Sequence, residues 1–373
     1  MPLPLCPQYP GKALFCSSGD ASADETVSGS LQQLSRVQAV TWDINYPLDD
    51  QVYLDAGIES YYATPPSVDV NVEWFHTNGF NERFLGLARF NATGTLIIDL
   101  EQEKNLYVSV EDSAGVDAIG APYAAPREVL GFAQGVLTSY QLSASVGGLV
   151  RANSTLNCLS AFVLTGSSGV AKPSVNYQDG TQVTGRFVLP GTSSQYNRST
   201  TGAAFDNVAA IGAQDMFLTF PDNSPFGVVF TGQQACYLQS FQLGLTINRG
   251  ALKPLGFVFP PDRPVIWPIP VNLRTEAIVG RYQADTLRRL ACTVTGQQLN
   301  VIVKQPCSST TMFGFYFTDL QLVDQSFGVG LGGCDTVSTS WRGYLKTPSD
   351  TFISPFWATL VRLDTTGAWG GSW

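Results

Sequence analysis

Apolar and polar residues alternate with a period of two in several short stretches of this chain. In residues 37–46 the apolar side of the alternation is formed by Val40, Trp42, Ile44 and Tyr46. In residues 238–247 it is formed by Phe241, Leu243, Leu245 and Ile247. Because successive side chains of a β-strand point to opposite faces, each stretch predicts a half-buried strand.

These two stretches belong to an internal repeat whose matches keep one order along the chain. The matched pairs are 37–46 with 238–247, 68–72 with 267–271, 106–110 with 299–303, and 137–148 with 322–333. The offset falls from 201 to 199, 193 and 185 residues, as loop deletions in the second copy would produce. A single match between alternating strands is weak, but four matches in the same order indicate a duplicated unit.

The repeat predicts how the chain is divided. A first copy covers residues 30–200 and a second copy covers residues 201–373, after an irregular N-terminal arm over residues 1–29. Residues 189–206 are rich in Gly, Ser, Thr and Asn, and they predict the linker between the copies. The chain is long enough to form two separate hydrophobic cores.

The composition favours β-structure. Charged residues make up only 14% of the chain, against about 25% in typical globular proteins. Helix candidates are limited to three short stretches, Leu48–Ala56, Gly250–Leu255 and Thr275–Gln283. We therefore predict an all-β fold made of two tandem antiparallel β-sandwich or partly closed barrel domains, with few short helices.

The charge distribution argues against tight binding of nucleic acid. The net charge of −9 lies in the first 200 residues, which hold 19 acidic and 10 basic residues, and no basic tract occurs anywhere. Tight binding would need Lys and Arg to neutralise phosphates. The polar sides of two predicted strands instead carry Asp43, Asp69 and Glu73, so paired strands would form an acidic sheet surface.

Residues that could support catalysis or bind a metal are sparse. The one histidine, His76, lies in a segment that predicts a turn, and no Gly-x-Ser-x-Gly element is present. Seven cysteines form no Cys-x-x-Cys pair, so we expect reduced and mostly buried thiols. Glu101 and Glu103 are interpreted as solvated charges. We expect no enzyme activity, no cofactor, no metal, no signal peptide and no membrane span.

Two segments of the repeat resemble structural proteins of tailed bacteriophages. One is residues 237–256 followed by 263–271, the latter reading Arg-Pro-Val-Ile-Trp-Pro-Ile-Pro-Val. The other is residues 65–86, which contain Val-Glu-Trp-Phe-His-Thr-Asn-Gly-Phe. The resemblance spans residues 35–345, and its motifs are structural rather than catalytic. It is similar to the tail tube (major tail protein) type and to distal tail and related ring-forming proteins, which share a β-sandwich core.

The resemblance implies a virion protein of the tail, assembled in the host cytoplasm, whose stacked rings form the conduit for DNA ejection. The implied partners are further copies of the chain, other tail proteins and double-stranded DNA that passes without tight binding. The resemblance implies rings that each contain six equivalent subunit folds. A duplicated chain would then fill a ring as a pseudo-hexameric trimer. The other arrangement is a hexamer of two-domain chains. The alternative function is another virion structural role, as a distal tail ring, capsid decoration or receptor-binding module.

A tube that passes DNA gives possible roles to particular charged residues. We expect Asp43, Asp69 and Glu73 to face the lumen and repel phosphates, with an ordinary solvated outer face as the alternative. At the matched positions the second copy has Gly244, Pro268 and Asn272, and therefore little charge. The predicted assembly-interface residues are Arg249, Arg288 and Arg289, and Leu48 stands where Arg249 would lie in the first copy.

Overall fold

The computed structural model describes residues 12–19, 31–34, 36–46, 48–53, 57–62, 65–76, 80–90, 96–98, 100–110, 128–164, 172–183, 212, 216–219, 236–279, 297–304, 311–328, 335–345 and 357–360. The elements of the first copy are β1 (Lys12–Ser18), β2 (Leu31–Gln33), β3 (Val37–Asn45), β4 (Leu48–Tyr53), β5 (Gly57–Tyr62), β6 (Ser67–Phe75), α1 (Phe80–Phe84), β7 (Ala88–Phe90), β8 (Leu96–Ile98), β9 (Lys104–Val110), β10 (Glu128–Ser145), β11 (Arg151–Cys158) and β12 (Ser160–Leu164). Those of the second copy are β13 (Met216–Thr219), β14 (Cys236–Thr246), β15 (Ile269–Val279), β16 (Gln297–Lys304), β17 (Thr311–Gly328), β18 (Asp335–Leu345) and β19 (Trp357–Leu360).

The first copy has two layers of strands that share the long strand β10. One layer has the order β2-β1-β9-β10-β12, and the other has the order β3-β6-β11-β10. β10 passes from one layer to the other near Gln134, which has a φ of 45° and lies where the pairing with β9 shifts register. Side chains of both layers meet in one buried core, which includes Leu14, Val70, Leu106, Tyr140 and Leu156.

The second copy repeats this arrangement, except that β2 has no counterpart among its described strands. Its layers are β13-β16-β17-β19 and β14-β15-β18-β17. The β-bulges also recur: the shift at Val37/Ala39 returns at Leu238/Ser240, and the shift at Leu137/Ser139 returns at Leu322/Asp324. These positions are separated by the offsets 201 and 185 found in the sequence. All described pairings are antiparallel, and the prediction of an all-β fold is confirmed.

The two copies are joined edge to edge. Residues Ser139–Ser145 of β10 pair with Ser240–Thr246 of β14, which produces one eight-stranded sheet in the order β3-β6-β11-β10-β14-β15-β18-β17. We call this continuous layer the eight-stranded sheet. Its strands alternate between a core-facing side and a polar side, because every second residue of each strand turns toward the core.

One of the sequence offsets needs correction. Val70 lies opposite Trp42, and the residue opposite Leu243, which is the counterpart of Trp42, is Leu273 rather than Ile269. The offset between β6 and β15 is therefore 203 and not 199. As a result Asn272 is the counterpart of Asp69, and Glu276 is the counterpart of Glu73.

The three helix predictions were wrong. Leu48–Tyr53 forms β4 and pairs with β5, where β-branched and aromatic residues such as Val52 and Tyr61 favour a hairpin. Gly250–Leu255 is an irregular loop, because Pro254 supplies no N–H for a helix. Thr275 continues β15, since alternate burial along that strand outweighs local helix propensity. The short helix α1 was not predicted.

Part of the N-terminal arm also differs from its prediction as irregular chain. Residues Lys12–Ser18 form β1, which pairs along its whole length with β9. Leu14, Phe15 and Cys16 are buried in the core. Because β1 is buried within the first sandwich, its consecutive apolar residues favour a strand although they do not alternate with polar residues.

Strand β3 is where the predicted and observed burial differ most. The core-facing residues Trp42 and Ile44 of β3 and Tyr46 directly after it, which we call the apolar stripe, are 41%, 44% and 55% exposed. Their counterparts Leu243, Leu245 and Ile247 are 0%, 2% and 2% exposed. β14 is covered by β10 and the first copy's core, whereas β3 ends the eight-stranded sheet and, among the described residues, pairs only with β6.

This difference predicts unequal effects at equivalent positions. Leu245→Ala should lower the free energy of unfolding by about 2–5 kcal/mol, the usual cost of truncating a buried aliphatic side chain. Ile44→Ala, its counterpart in the first copy, should cost less than about 1 kcal/mol in dissociated chains, because the side chain is half exposed. Denaturant unfolding of both variants at high dilution measures the difference, and equal losses would contradict it.

Candidate assembly surface and polar sheet face

The three acidic residues singled out in the sequence lie on one face of the eight-stranded sheet. Asp43 of β3 lies directly opposite Asp69 of β6, and Glu73 follows on the same side of β6. This side faces away from the buried core, which receives Val68, Val70 and Val72 from the same strand. The structure therefore places the three carboxylates on one face of the sheet.

Hydrogen bonds between neighbouring strands hold two of these carboxylates in place. Asn157 Nδ2 donates to Asp69 Oδ1 at 2.7 Å, and Arg151 Nη1 donates to Glu73 Oε1 at 3.0 Å. A hydroxyl–amide ladder lies between them, where Thr155 Oγ1 donates to Asn71 Oδ1 at 2.7 Å. The Arg151–Glu73 pair is exposed, so it orients the carboxylate more than it stabilises the fold.

The polar face changes character from the first copy to the second. In the first copy it carries Asp43, Asp69 and Glu73 against one cation, Arg151. In the second copy it carries Glu276 and Asp324 against Arg274 and Arg342. The second copy is thus balanced in charge, rather than nearly uncharged as predicted, because Glu276 and not Asn272 is the counterpart of Glu73.

The two copies share a shallow polar concavity at their junction. It has a volume of about 620 Å³ and is lined by residues of β10, β11, β14, β15 and β18, among them Arg151, Ser240, Arg274 and Glu276. Ser240 Oγ donates to Glu276 Oε2 at 3.3 Å. The polar surface is therefore continuous across the junction.

On the core side of the junction, Arg249 reaches from the second copy into the first. Its Nε donates to the carbonyl of Leu137 at 3.0 Å, Nη1 donates to that of Arg263 at 3.0 Å, and Nη2 donates to that of Leu100. Burial lowers the pKa of Arg249 to about 10, which still leaves it cationic at neutral pH. All three guanidinium nitrogens thus donate within the chain, and an interface role that used the same N–H groups would require these bonds to be replaced.

Arg263 makes a second connection of the same kind. It is buried, its Nη1 donates to the carbonyl of Asn157 at 3.0 Å, and its Nη2 donates to Glu103 Oε1 at 2.8 Å and to the carbonyl of Gln134. Tyr177 Oη donates to the other oxygen of Glu103 at 2.6 Å. Glu103 is therefore the partner of a buried arginine and not the solvated charge that we expected.

We call Arg249 and Arg263 together the arginine clamp. Both lie in the segment between β14 and β15, and both bind groups of the first copy. Phe259 of the same segment packs against Ala133, Leu159 and Val175 of the first copy. The sequence analysis included Arg263 in a motif but gave it no role, and Arg288 and Arg289 lie outside the described residues.

His76 follows directly after β6 and is buried. Its Nδ1 lies 2.8 Å from Glu82 Oε1, and Tyr140 Oη donates to the same oxygen at 3.1 Å. Burial raises the pKa of Glu82, but the His76 charge and the hydrogen bonds outweigh it, so the net pKa is lowered. Burial and the Glu82 carboxylate raise the pKa of Tyr140. This cluster ties α1 to β6 and β10.

The remaining groups that could carry chemistry are the cysteines and the side chains able to bind a metal. No group of three or more metal-ligating side chains occurs among the described residues. Cys16 and Cys158 are reduced, buried thiols, and burial raises the pKa of Cys158 to about 12. No described helix is long and apolar enough to cross a membrane.

Comparisons with known proteins add little. No protein-family model and no curated protein matches the chain. Among solved structures, the tail of an empty GTA particle, computed with helical refinement in C6 symmetry, is similar over 37% of this chain and 99% of its own chain. The identity is 11% and the TM-score is 0.25, and at that score the likeness carries no argument about function.

The arginine clamp should matter for the stability of the junction. We expect Arg263→Ala to destabilise the chain by about 3 kcal/mol, because it leaves a partly buried carboxylate and two buried carbonyls without their donor. Arg342→Ala removes an exposed arginine on the polar face and should cost less than about 0.5 kcal/mol. Thermal and denaturant unfolding would show this, and similar values for the two variants would rule out a structural role for the clamp.

Proposed function

We propose that this chain is a subunit of a phage-type tail tube, in which copies join edge to edge into closed, stacked rings. The observation that carries the proposal is the junction between β10 and β14, since it fuses two equivalent four-stranded units into one sheet. The outer edges of β3 and of residues 321–328 in β17 have no partner among the described strands. A head-to-tail contact repeated between chains gives a ring when its rotation closes.

The polar side of the eight-stranded sheet is the side that we propose lines the channel. The opposite side contributes buried residues of both copies to one hydrophobic cluster, so a ring built by extending this sheet presents one continuous hydrophilic surface. Carboxylates in the first copy repel the phosphates of passing DNA, and the balanced second copy offers no cationic patch for them to bind. Such a surface lets a duplex slide without being held.

Stoichiometry follows from the duplication. A ring with six four-stranded units needs three chains, each of which supplies two units already joined by β10 and β14. In this proposal the protein belongs to the virion tail, is assembled in the host cytoplasm and contacts other tail proteins at the ends of the tube. It performs no catalysis.

Electron microscopy of the purified protein tests this proposal directly. We expect negatively stained rings or tubes with a central hole wide enough for a DNA duplex, and a native mass of three chains per ring. Six chains per ring would support the tube but overturn the trimeric arrangement. Discrete particles without a hole at every concentration would contradict the tube and favour a capsid decoration or receptor-binding protein.

The proposed lining predicts a kinetic effect of charge. In virions that carry Asp43→Lys and Glu73→Lys, DNA ejection should be slower than in the parent, more so at low salt, because cations in the lumen attract phosphates and salt screens them. Asp262→Lys changes an exposed acid outside the eight-stranded sheet and should leave ejection unchanged. Ejection followed with a DNA-binding dye measures both, and unchanged rates in the double variant would place this face outside the channel.

A further inference from the structure

The apolar stripe on β3 is left about half exposed, and no described strand pairs with the outer edge of β3. Trp42 and Ile44 occupy the places that Leu243 and Leu245 occupy in the second copy, as the matching β-bulges show. Within the chain, the counterpart residues are buried because β10 lies alongside β14. An equivalent strand beside β3 would bury the stripe in the same way.

The equivalent of β10 is β17, and its edge is open at the corresponding residues. β10 pairs with β11 on one side and with β14 on the other. In β17, residues 321–328 pair with β18, the counterpart of β11, and no described strand lies on their other side. Among the described strands, this edge of β17 therefore has no neighbour. Strand β3 of a second copy would supply one.

We propose that β3 of one chain pairs with β17 of a second copy, in the antiparallel register inherited from the junction of β10 with β14. Applying the offsets of 185 and 201 to that junction places Asp324 opposite Asn45, Ser326 opposite Asp43, and Gly328 opposite Thr41. The occupant of the β3 edge is thus a second copy of this chain. As the contact that would close the ring, this pairing rests on the proposed function.

The junction between chains differs from the junction within the chain in one respect. Leu48 stands at the position of Arg249, and Ser60 stands at the position of Arg263 by the offset of 203 that relates β6 to β15. Gly296 takes the position of Glu103. The contact between chains therefore lacks the arginine clamp and its carboxylate, which leaves strand pairing and burial of the apolar stripe to hold it.

A disulfide can test the register, because the pairing geometry predicts which residues approach closely. Ile247 N donates to the Thr138 carbonyl and Val146 N to the Gln239 carbonyl, each at 2.8 Å, so Ser139 and Thr246 form a non-hydrogen-bonded pair between them. Cα atoms of such pairs lie about 4.5 Å apart, within the range that a disulfide spans. The counterparts of this pair are Asp324 and Asn45, both exposed on the polar face.

The experiment mixes two single variants, Asn45→Cys and Asp324→Cys, under mild oxidation. We expect a covalent dimer at twice the 40.2 kDa chain mass on a non-reducing gel. Neither variant alone should give it, and neither should Asn45→Cys mixed with Ser326→Cys, which is two residues out of register. Ser139→Cys with Thr246→Cys in one chain serves as the positive control for the geometry.

The outcomes separate this pairing from the proposed function. Cross-linking of the matched pair, in rings seen by microscopy, supports both. Rings in which only the shifted pair cross-links, or no pair does while the positive control forms, overturn this register and leave the tube intact. Cross-linking without any ring or tube supports the pairing and overturns the tail-tube proposal.

Discussion

A β-strand carries a row of backbone N–H and C=O groups on each edge, and these groups must find partners or remain in water. In the middle of this protein the requirement is met by pairing β10 with β14, which removes one open edge from each copy. The same step fixes the register of the copies, aligns their polar faces and buries the apolar side of β14. It also transfers the open edges to β3 and β17, at the two ends of the sheet.

The arginine clamp supports that junction mainly through hydrogen bonds to backbone carbonyls, and only one of its bonds reaches a side chain. Four of its six hydrogen bonds reach carbonyl oxygens of the first copy, one reaches the carbonyl of Arg263, and one reaches Glu103. A planar guanidinium suits several acceptors at once, and the Glu103 carboxylate offsets one of the two buried charges. The clamp therefore holds the second copy against the backbone of the first where β10 crosses between its layers.

Features that repeat with the period of a strand could be predicted from the sequence, and features that depend on what covers a strand could not. The alternation at 238–247 correctly placed Phe241 and Leu243 in the core. The same pattern at 37–46 could not reveal that Trp42 would be exposed, because alternation does not show that the outer edge of β3 has no partner among the described strands. Asp43, Asp69 and Glu73 were correctly placed on one face, since side-chain parity fixes that. The structural role of Arg263 was not predicted, because its acceptors are mainly backbone carbonyls, which every residue has and which no sequence pattern identifies.

The difference between the two junctions bears on how a ring would assemble. Within the chain, the covalent connection and the arginine clamp keep the two copies together at any concentration. Half of the junctions of a trimeric ring would therefore be formed before the chains meet. In the proposed pairing between chains, a short strand contact and the half-exposed stripe would hold the copies together more weakly. In a closed ring, each chain is held by two such contacts, and the second forms at high effective concentration once the first exists. A closed ring would therefore be stable even if a single contact between two chains dissociates readily. Chains would add to the sheet stably only when the ring can close.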